Sequence, residues 1–276
     1  MKRIVLIFSI FCLSSTVLFA GWFSKSNSDK VIIKGSTTVL PIAQKCAEAF
    51  RKVDSNITLS ISGSGSGDGI KAIIEGSCDI ANASRDMKDS EKSAAATAGK
   101  KIEKHVVAID MITPIVHPSN KIKNLTIDQL KAIYKGEIKN WKELGGQDMN
   151  IVVVSRDSSS GTFEVWEEKV MKGTKVLPAA LLQASNGAVV STVANNPKAI
   201  GYIGFGYLNS SINGVSVNSI EPSLENGKAG KFPLSRELYM FTDRNTASKS
   251  AMKFINFVKS SEGQKLVSES GFIGLK

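Results

Sequence analysis

Apolar residues recur along this chain in two alternating rhythms. Short runs rich in β-branched residues, at 31–34, 57–62 and 152–154, have the composition of strands, and 79–83 reads as a further short strand. Between them, apolar residues fall three and four apart, as in Ile42, Ala43, Cys46, Ala49, Phe50 and Val53. That spacing marks one face of a helix. The same rhythm predicts a helix carrying Ile70, Ile73 and Ile74 and another over 88–98. A third, capped by Thr126, turns Ile127, Leu130, Ile133 and Tyr134 inward and stops at Gly136. Residues 104–109 and 111–117 form one long strand, or two joined near Asp110. A helix over 186–195 stops at Pro197, strands follow at 200–204, 215–217 and 237–242, and 247–269 is helical. Strands and helices alternate, which predicts an α/β architecture with helices on both faces of the sheets.

Polar residues gather where strands give way to helices. The sharpest case runs from Val152 to Trp166: three valines, Arg156, a hydroxyl-rich turn, then a helix with Phe163, Trp166 and Val170 on its apolar side. Ser160 is a natural N-cap, with Gly161 and Thr162 in the first turn. The first turn of a helix leaves backbone N–H groups unpaired at the positive end of the dipole, which suits an anion. Arg156 adds a planar cationic fork that matches an oxyanion. Alone, the stretch reads equally as an ordinary capped helix with a surface arginine. Repetition changes that. Ser36, Thr37 and Thr38 lie in Gly35-Ser-Thr-Thr-Val-Leu-Pro41, with Pro41 at a first helical position. Ser66, read as a cap, lies in Gly63-Ser-Gly-Ser-Gly67, and Ser84 and Arg85 in Ala83-Ser-Arg85. All four junctions lie beyond the carboxyl ends of strands, where α/β sheets bind ligands. The glycine run lacks the Gly-Lys-Ser/Thr ending of a nucleotide phosphate loop, and Asp68 and Ile70 break the dinucleotide pattern.

Composition narrows the function. The net charge of +10 comes from scattered lysines, and aromatics make up only 7% of the chain. That argues against a nucleic-acid platform and suits a diffuse field that attracts small anions, or simply a solvated surface. His105 and His117 are the only histidines, no clustered Cys/His metal set occurs, and no G-x-S-x-G elbow is present. Recognition without a nucleophile and base points away from an enzyme. Residues 1–20 have the charge, apolar centre and cleavage-site pattern of a signal peptide, which implies export to a bacterial periplasm. An oxidising compartment leaves Cys46 and Cys78 open to a disulfide, or to burial as two small apolar residues.

In family order, the four junctions together with 125–141 and Gly201-Tyr-Ile-Gly204 resemble the PstS family, phosphate-binding proteins of bacterial ABC transporters. The likeness spans nearly the whole chain from Val31 onward. It implies a two-lobed periplasmic binding protein of the type II kind, each lobe a mixed sheet flanked by helices, with the ligand in the cleft. By analogy, one lobe comprises 30–111 with 235–276 and the other 112–234. The phosphate contacts carried over are Ser36, Thr37, Thr38, Ser66, Ser84, Arg85, Arg156, Ser160, Gly161 and Thr162. The implied partners are inorganic phosphate and the membrane permease subunits; the protein is expected to be a monomer, without cofactor or metal, that binds no nucleic acid. Sulfate or molybdate is the alternative ligand. Some family members place an aspartate after the serine of the third loop, where it accepts the proton that phosphate carries and sulfate lacks. Here that position is Arg85, which leaves Asp86, Asp110 and Asp157 as candidates for that acceptor.

Overall fold

The computed structural model describes residues 29–275. The proposed signal peptide, residues 1–20, lies outside the described residues. The chain begins with β1 (Asp29–Gly35), α1 (Leu40–Val53), β2 (Ile57–Gly63), α2 (Ser66–Ile74), β3 (Ile80–Ala83) and α3 (Asp89–Thr97). One uninterrupted strand follows, β4 (Ile102–Val116). Next come β5 (Asn124–Leu125), α4 (Ile127–Lys135), β6 (Val152–Arg156), α5 (Gly161–Trp166), β7 (Leu181–Gln183), α6 (Asn186–Ala194) and β8 (Ala199–Gly204). The chain closes with β9 (Asn213–Gly214), β10 (Ser216–Val217), α7 (Leu224–Lys228), β11 (Ser235–Asp243), α8 (Lys249–Lys259) and α9 (Ser261–Glu269).

The principal sheet runs β2-β1-β3-β11-β4-β8-β6-β7. It is mixed: β1 is parallel to β2 and β3, β11 is antiparallel to β3 and β4, and β6 is parallel to β7 and β8. Its centre is the long β4. Met111 pairs with Ser235 of β11, while the next residue, Ile112, pairs with Gly204 of β8. The change of partner between adjacent residues divides the sheet, and the fold is two-lobed. In the first lobe α1 buries Ile42, Ala43, Cys46 and Phe50, and Phe50 meets Phe254 of α8 edge-on, with ring centroids 5.5 Å apart. The second lobe packs around Trp166, whose ring stacks on Tyr202 at 4.2 Å with Tyr134 alongside.

Several local expectations are revised. Ser66 is the first residue of α2 rather than its cap; Gly65 takes the cap position with φ +140°, a conformation that suits glycine. Helix α1 begins at Leu40, so Pro41 lies one place inside. The C-terminal helix is two helices, because Ser260 ends α8 in extended backbone and caps α9, accepting from the Gly263 amide. Helix α5 is short and passes into a π-helical turn over Glu167–Met171; Val165 and Trp166 are buried, while Phe163 is half-buried. Cys46 and Cys78 are free thiols in separate apolar clusters, so no disulfide joins them.

Candidate functional site

The four hydroxyl-rich junctions meet where the lobes face each other. Ser36, Thr37, Thr38, Ser66, Ser84, Arg85, Arg156, Ser160 and Thr162 are all buried polar residues, and Gly161 is buried with them. Thr38 Oγ1 of the first lobe lies 3.0 Å from Thr162 Oγ1 of the second. Ser66 and Ser84 hydroxyls are 3.2 Å apart. A Cβ added to Gly161 would come within 2.3 Å of Ser66 Oγ and 2.8 Å of Ser84 Oγ. Glycine therefore lets the start of α5 reach across to both serines. Backbone joins the lobes as well: Gly67 N donates to Ser159 O at 3.0 Å, and Ser159 Oγ lies 3.1 Å from Ser64 O.

The hydrogen-bond inventory sets the polarity of this cluster. Ser36 Oγ accepts from the amides of Thr38 and Val39, at 3.1 and 3.3 Å. Thr38 Oγ1 accepts from Asn186 Nδ2 at 3.1 Å and Arg236 Nη2 at 3.3 Å. Ser66 Oγ accepts from the Ser84 amide at 3.0 Å, and Ser160 Oγ caps α5 by accepting from the Phe163 amide at 3.2 Å. A hydroxyl has two acceptor lone pairs and one hydrogen. Where N–H donors occupy the lone pairs, as on Ser36, the hydrogen is left to donate; Thr38 spends its hydrogen on Thr162 Oγ1, which also accepts from Arg236 and so keeps its own hydrogen. The loops thus present hydrogens, which is the polarity that stabilises an anion.

Two buried guanidiniums reinforce this. Arg156 is anchored by Nε to Gln183 O at 2.8 Å and by Nη2 to Ala184 O at 3.0 Å, with Asp157 Oδ2 at 3.4 Å. Arg236 is held by Nε and Nη2 on Asp110 Oδ2, at 3.0 and 2.8 Å, and its Nη2 also donates to Thr162 Oγ1 at 3.0 Å. Nη1 of each arginine is buried without a hydrogen-bond partner among the described residues. Burial pushes both guanidiniums down from their usual range; Asp157 opposes this at Arg156, and Asp110 opposes it at Arg236. The positive charge of Arg236 is itself felt at Arg156.

Arg85 is placed differently. Its fork lies on Glu91, with Nη1–Oε2 at 2.7 Å and Nη2–Oε1 at 2.8 Å, and it also pairs with Glu164. The three candidate aspartates are all engaged. Asp86 meets Lys104 at 2.7 Å near the surface. Asp110 accepts from Arg236 and from the Phe205 amide, and burial raises its pKa. Asp157 Oδ1 accepts from both the amide and the hydroxyl of Ser159. Among the described residues, no group of three or more His, Cys, Asp or Glu is placed to hold a metal, and no helix is long and apolar enough to cross a membrane.

Sequence reasoning missed Arg236 and Asn186. Arg236 lies two residues beyond the expected crossing near Leu234, so the crossing itself was the available signal. Asn186 begins α6 after Ser185, a strand-to-helix junction whose serine caps the helix as Ser160 caps α5. Its Oδ1 accepts from the Gly204 amide, which fixes Nδ2 toward Thr37 and Thr38 at 3.1 Å each.

A family model described as the PBP superfamily domain matches residues 24–262. The phosphate-binding protein PstS of Borreliella burgdorferi is 34% identical over 287 residues, covering all of both chains. The crystal structure of a putative phosphate ABC transporter substrate-binding protein with bound phosphate, from Clostridium perfringens, superposes with a TM-score of 0.85 at 37% identity. That superposition covers 90% of this chain and 100% of that one. An ABC-type phosphate transport receptor from Vibrio cholerae gives a TM-score of 0.72 at 33% identity over 88% of this chain and 99% of its own. Membership follows from this agreement over nearly the whole length: the chain belongs to the PBP superfamily and, within it, to the PstS family.

Proposed function

We propose that this protein captures inorganic phosphate between its two lobes and delivers it to the membrane permease of an ABC transporter. The observation that carries this reading is the meeting of Thr38, Thr162, Arg156 and Arg236 at the lobe junction, two buried cations among hydroxyls, with Nη1 of each cation left without a partner among the described residues. Ser36, Thr37, Thr38, Ser66, Ser84, Ser160, Thr162 and the amide of Gly161 supply the remaining donors. Each hydrogen bond to a charged group contributes ~1.5–3 kcal/mol. Closure removes water and strengthens every one of these contacts.

The lobes are 30–111 with 235–276, and 112–234; the change of pairing between Met111 and Ile112 supports that division. They open and close about the crossings of β4 and β11. Binding is the whole activity, with no chemical turnover. His105 bonds Thr242 and His117 bonds Ser119, and neither hydrogen-bonds a residue of the cluster. The protein works as an exported, periplasmic monomer and binds no nucleic acid.

Thermal denaturation of ligand-stripped protein tests the reading. Phosphate should raise Tm progressively with concentration, because a ligand that binds only the folded state stabilises it by mass action. An unchanged Tm at millimolar phosphate would overturn it.

A further inference from the structure

The third hydroxyl-rich junction supplies an arginine whose fork is directed at carboxylates. Of its two partners, Glu91 belongs to α3 in the same lobe, but Glu164 belongs to α5 in the other, three residues after Gly161. Lys88, also of the first lobe, reaches Glu164 Oε1 at 3.2 Å. One second-lobe carboxylate is thus held by two first-lobe cations. Among the described residues, every other ion pair joins groups within one lobe or groups on the crossing strands β4 and β11. The Arg85 and Glu164 side chains are only 7% and 12% exposed, so solvent screens this pair less than a surface pair. Lys88 is 54% exposed and adds little. A cleft of about 630 Å³, lined in part by Arg85, Lys88, Glu164 and Glu168, opens over the cluster from outside.

We propose that Arg85 and Glu164 form a latch between the lobes, with Glu164 a positioning residue that holds the closed form without touching the anion. The inference rests on the phosphate-binding reading above. In the open form the two side chains separate and each returns to water, apart from the tie of Arg85 to Glu91 within its own lobe. Closing brings Glu164 onto the fork already fixed by Glu91. The pair therefore acts on release of the ligand more than on its capture, as interactions formed late in association do. This assigns the Arg85 side chain a role other than that of a phosphate ligand.

Stopped-flow measurement of phosphate release from the exported chain tests the latch, using wild type, Glu164→Gln, Arg85→Gln and the double variant. Each single change should speed release by about tenfold, equivalent to ~1.4 kcal/mol. The double variant should release no faster than the faster single variant, because both remove one interaction. Tm of ligand-free Glu164→Gln should equal that of wild type, since its pair with Arg85 is absent when the lobes are open. Release at the wild-type rate from Glu164→Gln would overturn the latch. So would multiplicative effects in the double variant, which would mean Arg85 acts on the anion directly. A wild type that fails to bind phosphate would overturn the binding reading, and the latch with it.

Discussion

Arg236 grips a single oxygen of Asp110, Oδ2, through both Nε at 3.0 Å and Nη2 at 2.8 Å. The two residues stand opposite each other where β11 and β4 cross between the lobes. From that crossing Nη2 also reaches Thr38 of one lobe and Thr162 of the other. A buried carboxylate so placed holds the guanidinium in line and offsets its charge when the cleft is empty of anion.

The pair therefore answers differently to the loss of either partner. Asp110→Asn leaves a cation buried without its counter-charge, and breaking a buried pair in this way costs ~3–5 kcal/mol. Chemical denaturation should show that loss. Arg236→Met in the Asp110→Asn background should recover much of the stability while leaving phosphate affinity low. Recovery of both would mean that Arg236 serves the fold and not the ligand.

Arg156 is held by two backbone carbonyls and leaves Nη1 without a partner among the described residues, aimed at binding rather than at another side chain of the fold. Arg156→Ala should weaken phosphate binding by well over tenfold, since each charge-assisted bond contributes ~1.5–3 kcal/mol. Equilibrium dialysis with labelled phosphate measures this directly.

Gly161→Ala tests the closeness of the lobes. The new methyl would lie 2.3 Å from Ser66 Oγ, so one lobe has to give way. Affinity should fall by at least about tenfold, ~1.4 kcal/mol, while Tm of the ligand-free protein stays the same. A fall in ligand-free Tm with affinity intact would place the contact in the fold alone.

The thiols give a prediction in pH. Burial pushes Cys46 and Cys78 up from 9.0 to about 12. Both should resist a thiol-specific reagent at pH 8 in the native protein and react fully once it is unfolded. A folded-state pKa above the unfolded value means that the unfolded chain gives up its protons first as pH rises. The stability from keeping both thiols protonated is thus complete below pH 9 and is lost as pH climbs toward 12. Cys46→Ala with Cys78→Ala should flatten that part of the stability profile.

The alternation of strand and helix was readable because each element is amphipathic on its own period. Helix α1 shows this with Ile42, Cys46 and Phe50, all facing the core. The junction serines and threonines were readable because capping is local chemistry: Ser160 does accept from the Phe163 amide. What the sequence hid depends on distant partners. Arg85 follows the serine of the third junction, yet Glu91 and Glu164 claim its fork. Arg236 sits in an ordinary strand and gains its place only when β11 lies against β4. Gly65 displaces Ser66 from the cap because Ser66 Oγ is already bonded to the Ser84 amide, a contact between separate loops.

Calorimetric titration of ligand-stripped wild-type protein with phosphate, repeated in a large excess of sulfate, probes the shared anion site most directly. The expected result is saturable one-to-one phosphate binding that survives the sulfate. Absence of a binding isotherm, or its loss once sulfate is added, would contradict a phosphate-selective site at the junction of the lobes.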